Sequence, residues 1–219
     1  MLRCVSCIAL TLVRLHGAHI AAAASAADAM VHLAINNKRV KEQMTKLDVL
    51  KHAIHRLESN SEDGESANLR VAHLASICRL VRAMCTHLPA AMACCRQTVP
   101  LIAKLIGSSE EETAACAAEA LWIFSLPDEG KDALVNCTAI PGLLLLMTSS
   151  NLACKNAAIG CIRTLSTHEA AVKDLQVSGA VHALISILIN VENTNSFSEQ
   201  IMYVLCQRRG IHSHTSVSA

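Results

Sequence analysis

The side chains best suited to chemistry in this 219-residue chain are its eleven cysteines and eleven histidines. Cys4 and Cys7 have the spacing of half a zinc site, but no second pair follows at ligand distance. Cys94 and Cys95 are adjacent and cannot readily share one tetrahedral ion, and His52 and His55 stand three apart, as on one helix face. Of the eight glycines, none belongs to a dinucleotide-binding loop, a phosphate loop or a GxSxG nucleophile turn, and no HExxH is present. Isolated Ser, His and Asp residues occur, but nothing local brings a nucleophile to a base. The expectation is a non-enzymatic chain with no catalytic residue, no metal and no cofactor.

The cysteines read differently as packing. Eleven is odd, so they cannot all pair within one chain, and Cys78, Cys116, Cys154 and Cys161 sit inside apolar helical patterns. There a free thiol behaves as a small buried hydrophobe. A reducing compartment is expected, the cytoplasm, with the nucleus as an additional location. Aromatics are only four residues, Trp122, Phe124, Phe197 and Tyr203, which argues against stacking on single-stranded nucleic acid. Charge is nearly balanced, 19 basic against 18 acidic, but it is segregated. Residues 1–107 carry 13 basic and 7 acidic groups, whereas 108–219 carry 6 and 11. The basic half is expected to attract an acidic partner, and the field is too modest for a nucleic-acid surface.

The elements that must position these residues are helices. Ala (34) and Leu (27) dominate the apolar positions, a composition suited to closely spaced helices rather than strands. A shift of 41 residues lays the C-terminal half on itself. Pro100 falls on Pro141, Leu105 on Leu146, Ser108-Ser109 on Ser149-Ser150, Ala117 on Ala158 and Ser125 on Ser166. A helical period near 40 points to a solenoid. Each period has three pieces. A short helix such as 131–137 or 170–177 comes first. A second helix opens at Val99-Pro100, Ile140-Pro141 or Val181-His182, with proline where a first turn tolerates it. A longer, Ala-rich third helix follows, with Ser109 and Glu112 spaced as a capping box. Gly179 suits the left-handed end of a short helix, and Thr138 replaces it one repeat earlier.

The string Val135-Asn136-Cys137-Thr138-Ala139-Ile140-Pro141-Gly142-Leu143-Leu144 resembles the short helix, Gly-Ala-Ile-Pro and paired leucines of armadillo repeats. Ala158 to Ser166 is similar to their third-helix core. The resemblance is strongest over 99–190. It implies an all-α, right-handed superhelical armadillo-type solenoid of about four three-helix repeats, with third helices lining a concave groove. Nuclear-import receptors of this family place Trp and, four residues on, Asn along that groove. Here the Trp positions correspond to Asp28, Ala75, Glu119 and Gly160, and the Asn positions to His32, Arg79, Ile123 and Thr164. No Trp–Asn pair is present, so import-cargo binding ranks behind other roles. The groove residues implied are Asp28, His32, Arg79, Arg82, Glu119, Ile123, Arg163 and Thr164, with the three arginines forming a basic strip.

The repeat domain is expected over 1–207, as a partial repeat 1–46, repeats near 47–98, 99–139 and 140–180, and a partial repeat 181–207. Residues 5–16 read as a second helix, which accounts for the acid-free N-terminus without a targeting peptide. Ser59–Ser66 reads as a polar loop, Ser196 with Glu199 as a second capping box, and 208–219 as a disordered tail. The longest uncharged run, 133–154, is interrupted by Pro141, Gly142 and Ser149–Asn151, so no membrane span is expected. Neither end shows a polar capping repeat. The resulting functional expectation is a scaffold or adaptor that binds a protein or extended peptide along the groove. The alternative is a structural segment of a larger array, self-associating or continuing through its open ends.

Overall fold

The computed structural model describes residues 20–59, 67–86, 91–92 and 98–190. Among them are eleven helices and no strand: α1 (Ile20–Ala34), α2 (Lys38–Lys46), α3 (Val49–Ser59), α4 (Ala67–Cys85), α5 (Val99–Leu105), α6 (Glu111–Phe124), α7 (Asp128–Asn136), α8 (Ile140–Leu146), α9 (Leu152–Leu165), α10 (Glu169–Val177) and α11 (Ala180–Asn190). The expected helix at 5–16, the 60–66 part of the loop, Cys4, Cys7, Cys94, Cys95, the Ser196 capping box and the tail lie outside the described residues.

The three-piece repeat is visible in the backbone. Each short helix, α2, α7 and α10, is followed by one left-handed residue: Asp48 (φ 53°), Thr138 (φ 54°) and Gly179 (φ 74°). Only glycine adopts that conformation without a Cβ penalty, so the other two tolerate strain at an equivalent turn. Pro100 and Pro141 occupy the first turns of α5 and α8. The third helices α1, α4, α6 and α9 pack side by side and make the most extensive helix–helix contacts among the described residues. Small residues permit this, since Ala117, Ala118, Ala120, Ala157 and Ala158 are all buried. One apolar cluster runs from Ala27 in α1 to Ile187 in α11.

A buried lysine anchors two of the short helices. Lys41 of α2 donates through Nζ to the carbonyl of Thr86, just past α4, at 2.9 Å. Lys131 of α7 reaches Thr167 Oγ1, just past α9, at 3.1 Å, and Asp128 at 2.8 Å. Burial lowers the Lys41 pKa from its ordinary value.

Local boundaries differ from the sequence reading in three places. The short helix α7 begins at Asp128 rather than 131, because Pro127 sets an extended N-cap and Asp128 and Glu129 suit the positive helix end. The sequence reads 71–87 as a third helix, and the helix there, α4, begins four residues earlier, at Ala67. The Ser109–Glu112 capping box does not form. Glu110 is the N-cap of α6, its N–H is accepted by Ser108 Oγ, and Glu112 turns instead to an arginine of α4.

Candidate binding groove

The face formed by the third helices holds two different kinds of joint. Between α1, α4 and α6 the joint is ionic. Arg79 of α4 donates through Nε (3.2 Å) and Nη2 (2.9 Å) to the same carboxylate oxygen of Asp28 on α1. Its Nη1 reaches Glu112 on α6 at 2.7 Å and Cys116 Sγ at 3.8 Å. Ser76 donates to Asp28 at 3.1 Å and accepts from Arg79 at 3.0 Å. One turn on, Arg82 pairs with Glu119 at 2.7 Å. Burial alone would lower the Arg79 pKa, but the Asp28 carboxylate, helped by Glu112, raises it instead, so the guanidinium stays charged.

Between α6 and α9 the joint is one of shape. The Trp122 ring lies directly on Gly160, where an added Cβ would fall 2.5 Å from the ring. At the far ends of these helices the hydroxyls of Ser125 and Thr164 are hydrogen-bonded to each other. Each also lies 2.7 Å from a carbonyl of its own helix, Trp122 and Cys161 respectively, and with one proton per hydroxyl the one that donates across the joint leaves only the other to donate to its carbonyl. At the near ends, Asn151 caps α9 through Ala153 and Cys154, while its amide donates to Glu111 at 3.1 Å.

Both joints enclose thiols. Burial pushes Cys78 of α4 and Cys161 of α9 up to about 12. Burial also raises Cys116, against the pull of neighbouring Arg79. These thiols are free and protonated, as their apolar pattern implies.

An open cavity of about 650 Å³ lies where α4, α6 and α9 meet, lined by Arg79, Ser109, Glu110, Glu111, Glu112, Ala115, Cys116, Glu119, Asn151 and Ala153. A second, of about 670 Å³, lies along the short helices α7 and α10 and is lined by Asp128, Val135, Thr167, His168, Glu169, Ala170, Lys173 and Asp174. Among the described residues no group of three or more His, Cys, Asp or Glu is placed to hold a metal ion, and no helix is long and apolar enough to cross a membrane.

Of the eight expected groove residues, the structure gathers Asp28, Arg79, Arg82 and Glu119 into one charged ladder. Thr164 is engaged with Ser125, His32 is exposed near the end of α1, and Ile123 and Arg163 are half-buried. The basic strip does not stand open. Arg79 and Arg82 are already neutralised by carboxylates of neighbouring third helices, so the structure gives the expected acidic partner no support. Sequence reasoning missed Glu112, Ser76 and Asn151. Glu112 resembled a capping residue and masked its role across the joint.

No protein-family model matches this sequence, and no curated protein matches it either. Solved structures do. An engineered protein superimposes with a TM-score of 0.79 at 17% identity, covering 91% of this chain and 78% of its own. A computationally designed armadillo repeat protein for modular peptide recognition aligns with a TM-score of 0.74 at 14% identity, over 90% of this chain and 80% of that one. A designed armadillo repeat protein in complex with the peptide (KR)4 aligns at 0.71 and 14%, with the same coverage. The fold is an armadillo-type repeat solenoid.

Proposed function

We propose that this armadillo-type solenoid is a peptide-binding scaffold whose third-helix face receives an extended, basic segment of a partner protein. The carrying observation is the charge of the α4–α6–α9 cavity. Four glutamates line it, Glu110, Glu111, Glu112 and Glu119, against one arginine that already holds two carboxylates. Glu112 is 75% exposed and Glu119 30%, so an incoming cation can compete with Arg79 and Arg82 for both. The likeness to a designed repeat protein in complex with the peptide (KR)4 supports a basic peptide as the ligand. The chain lacks the Trp–Asn pairs that stack on and clamp a peptide in import receptors. Recognition here therefore rests on charge, which gives modest affinity and a steep dependence on salt.

Fluorescence anisotropy with labelled (KR)4 and with an acidic octapeptide tests this. The basic peptide should bind, should weaken as salt rises, and should be lost in the variant carrying Glu112→Lys and Glu119→Lys. Preference for the acidic peptide, or indifference to both, would remove the proposal.

A further inference from the structure

The short helices α2, α7 and α10 occupy equivalent places in their repeats, each ending in a left-handed residue, and α7 packs directly on α10. Their charges are opposite. Helix α2 has four basic residues and one acid, with Lys38, Arg39 and Lys46 exposed. Helices α7 and α10 together have five acids, Asp128, Glu129, Asp132, Glu169 and Asp174, against Lys131 and Lys173. Lys131 is turned inward and nearly buried, so the outer surface there is more acidic than the composition suggests. Among the described residues, the row of short helices is thus basic at α2 and acidic at α7 and α10. The acidic end also contains the 670 Å³ cavity, with Val135 on its wall, and beside it Val177 at 90% exposure.

A ridge that is basic at one end and acidic at the other is self-complementary under a two-fold axis perpendicular to it. An isologous contact pairs the same patch on both copies, so α2 of each copy meets the α7–α10 edge of the other. A parallel side-by-side arrangement would instead set like charges against each other. We propose that two copies of this chain associate antiparallel along the ridge of short helices, with Lys38 and Arg39 of one copy against Glu129, Glu169 and the adjoining cavity of the other. The contact uses none of the third-helix face, so it neither requires nor blocks the peptide-binding reading.

Sedimentation velocity of the full chain over a range of concentrations tests it. A dimer should form at low salt, dissociate at high salt and not grow further. The variant Lys38→Glu with Arg39→Glu should be monomeric, as should Glu129→Lys with Glu169→Lys. All four positions are exposed, and unchanged circular-dichroism melts would show both variants folded. An equimolar mixture of the two variants should recover the dimer, because each reversed end then meets its complement. A monomer at every concentration overturns the proposal. So does a dimer that ignores both variants, a mixture that stays monomeric, or an open chain that lengthens with concentration.

Discussion

The α1–α4–α6 joints and the α6–α9 joint bring third helices to the same kind of contact by unlike means. In the first, Arg79 and Arg82 bridge to Asp28, Glu112 and Glu119, and all five side chains stay partly exposed. In the second, an indole lies on a glycine and two hydroxyls meet at the helix ends. The ionic joint gains little from each solvent-exposed pair but tolerates exchange, since a carboxylate can release its arginine to water or take on a second cation. The shape-based joint has no such latitude, because a ring against a backbone leaves no spare volume. The cavity sits beside the joint that can re-pair its charges, and Glu112 and Glu119 serve both.

Four measurements would break or sharpen this contrast. The largest effect is one in which the joints should agree. Cys78 belongs to the ionic side and Cys161 to the shape-based side, and both are held near 12 against an ordinary value of 9.0. A raised folded pKa means that the neutral thiol's contribution is intact below pH 9 and is lost as pH climbs toward 12. Denaturant stability should therefore fall by roughly 1 kcal/mol per pH unit for each thiol across that window. Cys78→Ala and Cys161→Ala should flatten this alkaline loss equally; if only one does, the two interiors are not alike.

Next is Gly160→Ala. The new methyl meets the Trp122 ring and should cost about 2 kcal/mol by overpacking, at any ionic strength. Pairing it with Trp122→Leu should recover part of that loss in a double-mutant cycle. Arg79→Leu comes third. It should cost about 1 kcal/mol at low salt and visibly less at high salt, because partly exposed pairs are screened. A salt-independent loss would mean that the arginine acts there through packing. Smallest is Glu112→Gln, about 0.3 kcal/mol or less by thermal melting, since that carboxylate is 75% exposed. Its effect should appear in peptide affinity rather than in stability.

Much of the scaffold was legible because its determinants are local and periodic. Pro100, Pro141, Thr138 and Gly179 each stand where the 41-residue register placed them, and the aligned alanines are the buried contacts between third helices. The joints were less legible. The register compares a residue with its own counterparts, whereas Arg79 finds Asp28 51 positions upstream and Glu112 33 positions downstream, at different places in their repeats. Trp122 likewise covers Gly160, which occupies a different slot of the next third helix. Charge counted along the chain suggested a basic face. Charge counted across helices shows Arg79 and Arg82 paired with carboxylates of neighbouring helices, and Glu110 and Glu111 exposed beside them.

The tryptophan that lies on Gly160 is the only one in the chain. Its emission therefore reports the surroundings of a single joint, that between α6 and α9. Any event that flexes the superhelix at that point changes the indole's contact with solvent, without an added label. The protein's intrinsic fluorescence is in effect a strain gauge mounted on one joint.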